Sequence, residues 1–214
     1  MIADGISIVT TTWNERENVG KLILRIRSLL GSVPHEIIVV DDNSPDGTSE
    51  IAQKLADRTV KKSREGQSKG LLCGMKLARY DAIITIDADL ENDPSHIPEL
   101  ARRLDEFDVV VASRTKLPRI SERLASRILG RTIGVKDVFS NFRAYSKETV
   151  SSFALRAGET FGAEFLVISK KKHLRIGEIR YESLRRRDPR IGGKTKANLR
   201  IIWALFKSLV VYLI

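Results

Sequence analysis

The sequence predicts an α/β fold, a doubly wound and mostly parallel sheet with helices on both faces. Three observations carry this. Short β-branched apolar runs alternate with helical periodicities over the first 113 residues. The run Ala82-Ile83-Ile84-Thr85-Ile86 is apolar on both sides of an extended chain, as a strand covered above and below by helices must be. Polar residues follow the strands at three places: Trp13-Asn14-Glu15, Asp41-Asp42, and the trio Asp87, Asp89 and Glu91. In a parallel sheet all three lie on the carboxyl edge, where open α/β sheets bind ligands.

Taken in order, residues 6–12 read as the first strand and 15–30 as a helix with Leu22, Ile23, Ile26, Leu29 and Leu30 on one face. Residues 36–40 form a second buried strand that ends at Asp41-Asp42. Asn43-Ser44-Pro45-Asp46-Gly47-Thr48 is dense turn chemistry, leading to a helix that runs to about Ala56 and a short strand at 58–61. A polar loop at 63–69, a helix at 70–79 and the central strand come next. Asp93-Pro94 caps a helix to about Glu106, because Asp suits the N-cap and Pro the first helical position. The strand at 108–113 closes this regular part.

Beyond Ser113 the rhythm breaks. Residues 116–132 read as a basic helix with Arg119, Arg123, Arg127 and Arg131 at i+4 spacing, and 142–145 as a strand. A helix from Lys147, another at 163–172 and a strand at 176–185 complete a domain expected to span 1–198. Residues 199–214 form an apolar C-terminal helix with only Arg200 and Lys207 charged.

Asp87, Asp89 and Glu91 are spaced i, i+2, i+4, so an extended chain that turns slightly can converge their side chains. Three like charges at one point repel unless something positive sits among them. A hard divalent cation carrying a phosphorylated ligand answers that requirement, whereas an ordinary acidic loop accounts for Asp93 and leaves Asp87 and Asp89 unexplained.

Lys and Arg number 37 against 27 Asp and Glu, and the excess is localised: residues 170–200 hold twelve basic and three acidic side chains, a net of +9. Such a block implies an anionic partner, whether nucleic acid, membrane surface or phosphate. With aromatics at 6% there is none of the base-stacking interleaving of single-strand binders, so no nucleic-acid partner is expected and a basic nucleic-acid module is the remote alternative. The lone Cys73 excludes an internal disulfide and a cysteine-built zinc site. Met1-Ile2-Ala3-Asp4 runs straight into a strand and no stretch reaches the ~20 apolar residues of a membrane span, so a cytoplasmic location is expected.

No Gly-rich phosphate loop of the GxxxxGK[ST] or GxGxxG kind is present. A nucleotide held without one needs acidic groups on the ribose, a stacking aromatic and a metal on the phosphates. Trp13, Glu15, Asp41 or Asp42, and the Asp87/Asp89 pair supply those three. The runs Thr12-Trp13-Asn14-Glu15, Val39-Val40-Asp41-Asp42-Asn43-Ser44-Pro45-Asp46-Gly47-Thr48 and Asp87-Ala88-Asp89-Leu90 resemble the family 2 inverting glycosyltransferases of the GT-A fold. The segments Val135–Tyr145 and Arg190-Ile191-Gly192-Gly193-Lys194-Thr195-Lys196 narrow the resemblance to the polyprenyl-phosphate branch, and nearest to the dolichyl-phosphate mannose synthases.

That resemblance implies a metal-dependent, inverting transfer of a hexose, mannose from GDP-mannose, to a dolichyl or other polyprenyl phosphate. Thr11, Trp13, Glu15, Asp41, Asp42, Asp87 and Arg131 would hold the nucleotide sugar. Asp87, Asp89 and Glu91 would hold Mg²⁺ or Mn²⁺, and Asp89, Arg114, Arg190 and Lys196 would act at the reacting groups. This chain departs from the family at Thr11, where Pro is usual, and at Trp13, Glu91 and Asn141, where Tyr, Gln and Gly are usual. The segment between Arg114 and Asp137 is also shorter. A UDP-glucose type of donor, or an acceptor that is not a lipid, therefore stays open. The apolar tail then lies at the cytoplasmic face of a membrane as a peripheral helix, continuing a basic block that meets anionic head groups. The resemblance leaves room for a membrane-embedded partner subunit.

Overall fold

The computed structural model describes residues 4–117, 119–184 and 194–213. Seven strands make one sheet: β1 (Ile6–Thr12), β2 (His35–Asp41), β3 (Arg58–Lys61), β4 (Ala82–Thr85), β5 (Val109–Arg114), β6 (Arg143–Ser146) and β7 (Ile176–Tyr181). Their order is β3-β2-β1-β4-β6-β5-β7. Every pairing is parallel except those of β6, which runs antiparallel to β4 and to β5. The reversal follows from the path of the chain. It leaves β5 at the carboxyl edge, makes α5 (Ile120–Ala125), a π-helical turn (Ser126–Gly130) and α6 (Arg131–Ile133), and re-enters the sheet from that same edge.

The remaining helices are α1 (Val19–Leu30), α2 (Thr48–Leu55), α3 (Gln67–Lys76), α4 (Ile97–Arg103), α7 (Lys147–Ser151), α8 (Ala163–Lys171) and α9 (Lys194–Leu213). One core layer joins Ile6, Ile8 and Ile84 to Leu22, Ile26 and Leu100 beneath α1 and α4. The other joins Val9, Ile38 and Tyr145 to Met75, Phe165 and Leu205 beneath α3, α8 and α9. Two-faced burial thus explains the uninterrupted apolar runs Ile37-Ile38-Val39-Val40 of β2 and Val109-Val110-Val111-Ala112 of β5.

Several helices start elsewhere than their periodicity predicts. The first begins at Val19 rather than residue 15. Asn14 adopts a left-handed backbone (φ 58°), and the Glu15 backbone N–H donates to Thr48 Oγ1 at 2.9 Å, so residues 15–18 form a lead-in turn tied to α2. The third begins at Gln67 rather than Gly70, and its two glycines pack against β1. A Cβ on Gly70 would stand 2.8 Å from Thr11 Cγ2, and one on Gly74 would stand 2.4 Å from Val9 Cγ1. Only glycine lets α3 lie this close, and the closeness carries Gln67 to the carboxyl edge.

The basic segment becomes helical only from Ile120, and its π turn adds a residue to the repeat, so the four arginines do not form one straight stripe. The last helix begins at Lys194, five residues before the apolar run expected from 199, and it packs on α8 and α5 through Ile201, Ala204, Leu205 and Ser208.

Candidate active site

The carboxyl ends of β1, β2, β4 and β5 open onto two adjoining cavities of about 620 and 290 Å³. Gln67, Asp87, Asp89, Phe161 and Arg200 border both.

At the end of β1, Trp13 is half-buried and its ring carries the Arg64 guanidinium 3.8 Å from the centroid. Thr11, Trp13, Glu15 and Asp42 all face the larger cavity. Asn18 Nδ2 donates to Glu15 Oε2 at 2.8 Å, which sets that carboxylate at the cavity rim. Lys62 Nζ stands 2.8 Å from Asp42 Oδ1, and the Gly66 N–H donates to Asp42 Oδ2 at 3.3 Å.

Asp41 departs from its expected role. It is fully buried and borders neither cavity. Its Oδ1 accepts from Thr12 Oγ1 (2.7 Å) and Ser44 Oγ (2.6 Å), and its Oδ2 accepts from the Ser44 N–H (2.8 Å). It pins the Asn43–Gly47 turn to β1 and leaves the ligand-facing position to Asp42.

Past β4, Leu90 takes a left-handed backbone (φ 64°) and the Glu91 N–H donates to Asp89 Oδ1 at 3.1 Å. This is the turn that convergence required, and Asp87, Asp89 and Glu91 all face the smaller cavity. Gln67 Nε2 donates to Asp87 Oδ1 at 2.6 Å. Burial, then the charges of Asp89 and Glu91, push the Asp87 carboxyl up to about 7, against the pull of Arg114. Negative charge is therefore in excess at this point.

Among the described residues no three His, Cys, Asp or Glu side chains already form a cation cage. A hard divalent ion fits this donor set nonetheless, because such ions are commonly bound by one or two carboxylates together with substrate phosphates.

Arg114, at the end of β5, faces the same cavity. Its Nε donates to Asp137 Oδ2 at 2.5 Å and its Nη2 to Asp137 Oδ1 at 3.3 Å, with Glu122 Oε1 at 3.5 Å. Burial opposes the charge, but Asp137 and then Glu122 outweigh it, so Arg114 is a fixed cation facing the acidic pair.

Arg131 is exposed and borders neither cavity, so the structure does not bring it to the site. Arg190 and the side chain of Lys196 lie outside the described residues.

Several residues at the site gave no sequence signal. Glu159 borders the larger cavity and accepts from Ser68 N (3.1 Å), Ser68 Oγ (2.7 Å) and Phe161 N (2.6 Å), locking two distant loops together. Phe161 itself is left-handed (φ 50°), which is rare for a bulky side chain and typical of functional sites. Arg200, Trp203 and Lys207 of α9 complete the wall of the larger cavity. The run 135–145 contains Asp137, yet only the fold shows it holding Arg114.

Residues 7–154 match the family model described as "Glycosyl transferase family 2". The chain belongs to that family. Dolichol-phosphate mannosyltransferase of Pyrococcus furiosus is 32% identical over 227 residues, covering 94% of this chain and 64% of its own length. Dodecaprenyl-phosphate galacturonate synthase of Rhizobium johnstonii is 36% identical over 148 residues, covering 61% of this chain and 44% of its own. This family 2 chain thus spans less than two thirds of these relatives. Among solved structures, glucosyl-3-phosphoglycerate synthase from Mycobacterium tuberculosis, in complex with Mn²⁺ and UDP, superposes with a TM-score of 0.78 at 22% identity, over 95% of this chain and 79% of that one. Mannosyl-3-phosphoglycerate synthase from Rubrobacter xylanophilus does so with a TM-score of 0.78 at 18% identity, over 97% and 73%. These likenesses establish the fold, that of the GT-A glycosyltransferases.

Proposed function

We propose that this chain is the catalytic domain of a metal-dependent, inverting transferase that moves a hexose from a nucleotide sugar to a polyprenyl phosphate, with mannose from GDP-mannose as the donor group. The observation that carries this is the Asp87/Asp89 pair, with Asp87 held by Gln67, on the same cavity as the fixed guanidinium of Arg114. The relatives named above support a lipid-phosphate acceptor, since both names specify a polyprenyl or dolichol phosphate.

In this reading Trp13 supplies an aromatic face for the base, and Glu15 and Asp42 supply acceptors for base and ribose. Asp87 and Asp89, with Glu91 beside them, would hold Mg²⁺ or Mn²⁺. When bound, the ion stabilises charge on the departing diphosphate as a Lewis acid. Arg114 draws the acceptor phosphate toward the sugar, and Arg190 and Lys196 are assigned to the same anionic groups. Arg114 does so from a geometry that Asp137 has already fixed, so little order is lost on binding.

The nucleophile needs no protein base. A phosphomonoester has a second pKa of about 6 and is already a dianion at neutral pH. In keeping with this, neither cavity is lined by His35, His96 or His173.

No described helix is long and apolar enough to cross a membrane, and the proposed attachment is peripheral, on the cytoplasmic face. The test is transfer of radiolabelled mannose from GDP-mannose to a prenyl phosphate with and without Mn²⁺, run beside UDP-glucose and a glycan acceptor. The expected result is metal-dependent mannosyl lipid. Transfer only from UDP-glucose, or only to a glycan, would replace donor or acceptor, and no transfer from any nucleotide sugar would end the reading.

A further inference from the structure

One wall of the smaller cavity is formed by Phe139, Ser140 and Asn141, in the short run that leads into β6. The backbone of that run is pinned at successive residues. Ser140 Oγ donates to the Ala112 carbonyl at 2.7 Å and accepts from the Phe142 N–H at 3.3 Å. Thr85 Oγ1 donates to the Asn141 carbonyl at 2.6 Å. The side chain of Asn141 is therefore carried on a fixed edge of the sheet, and the residue is only 4% exposed.

Asn141 Oδ1 is buried and has no hydrogen-bond partner among the described residues. It packs against Gly162 (φ 78°), where a Cβ would collide with it, so that glycine makes room for an acceptor the protein leaves unsatisfied. A buried polar atom without a partner is unfavourable and calls for an explanation. Several described side chains carry such an atom, but Asn141 alone among them lines the cavity that holds Asp87, Asp89, Glu91 and Arg114.

The chemistry of the missing partner follows from the orphan being an acceptor. Ionised phosphate and diphosphate oxygens only accept, so neither the leaving group nor the acceptor phosphate can satisfy it. A sugar hydroxyl both donates and accepts. A half-turn of the amide exchanges its own acceptor for its donor, so hydroxyl and amide match in either orientation. We propose that the Asn141 amide reads one hydroxyl of the transferred hexose, which makes this residue a determinant of the sugar accepted. A few fixed polar groups set orientation and specificity in a ligand pocket, and this one is held in place before the ligand arrives. The inference rests on the proposed placing of the donor sugar beside the Asp87/Asp89 pair.

The experiment compares kcat/KM for wild type and Asn141→Ala on GDP-mannose and on its analogues deoxygenated singly at C2, C3, C4 and C6, with the matching UDP-glucose series beside it. Asn141→Ser is made in parallel, and circular dichroism selects the folded variant for the comparison. Wild type should disfavour one of the deoxy donors by about tenfold or more. Asn141→Ala should lose about that factor on the intact donor, lose nothing further on that one deoxy donor, and treat the other three as wild type does. A structural role would instead lower every donor alike. Discrimination unchanged from wild type at all four positions would overturn the inference, and an equal fall on every donor would assign the amide to a group they share. If wild type transfers from no nucleotide sugar, the functional reading fails and the inference falls with it. If wild type transfers and its discrimination survives the substitution, the inference falls alone.

Discussion

Replacing Asp137 by Ala should cost both stability and turnover. Asp137 is 1% exposed and grips Arg114 through two hydrogen bonds, while its Oδ1 also accepts from the Phe139 N–H at 3.3 Å. Breaking a buried ion pair by removing one partner costs roughly 3–5 kcal/mol. Here Arg114 is still 15% exposed and keeps Glu122 at 3.5 Å, so the loss should fall to about 2–3 kcal/mol. For a chain of 214 residues that is a fall in melting temperature of about 4–12 °C. Arg114 would also lose its aim, and a cation placed about 1 Å from its working position lowers kcat by up to about 10²-fold. Asp137→Asn, which keeps an oxygen acceptor, should recover part of both losses. The assays are urea unfolding and steady-state transfer. An Asp137→Ala variant within 0.5 kcal/mol of wild type and fully active would refute the argument that this carboxylate positions Arg114.

Asp89→Ala should abolish transfer and metal-dependent nucleotide binding while leaving the circular dichroism spectrum and melting temperature near wild type; retained turnover would remove the metal assignment. Trp13→Ala should weaken nucleotide binding by about 1–3 kcal/mol, read by calorimetry, as loss of a base-stacking face does. Gly74→Val should destabilise by about 1–3 kcal/mol or more in urea unfolding, because its Cβ already meets Val9 Cγ1 at 2.4 Å. Hydrogen bonds from Arg175 hold the Asp108 carboxyl below its usual 3.8, so its contribution to stability is present above that value and lost as pH falls through the lower folded value. Asp108→Asn should therefore lower stability at pH 7, and by less the further the pH falls below 3.8, in paired thermal melts.

The order of the strands along the chain and the acidic ends of β1, β2 and β4 were legible because they are local. Two-faced apolar runs and carboxylates at alternate positions need no knowledge of partners. The antiparallel course of β6 was not legible, since nothing in Arg143-Ala144-Tyr145-Ser146 records the edge from which the chain arrives. Asp41 and Asp42 look interchangeable in sequence. They separate only in the fold, where Thr12 and Ser44 enclose one and Lys62 reaches the other. Glu159 binds Ser68 across 91 positions and Gln67 binds Asp87 across 20, and such pairings exist only once the sheet has gathered its edges. The tail was legible in composition but not in placement. One face of α9 packs on the domain and the other stays open, a division that the composition of residues 199–214 does not record.

Of the five described non-glycine residues with a positive φ, Asn14 (58°) and Leu90 (64°) adjoin cavity-lining residues in the chain and Phe161 (50°) lines both cavities. A left-handed backbone disfavours side-chain-bearing residues by roughly 1–2 kcal/mol, and glycine would relieve that cost at each position. Selection for heat resistance alone would be drawn to these three sites. Glycine there would also release the loops to wander, so the most thermostable descendants of this chain should be among its poorest catalysts.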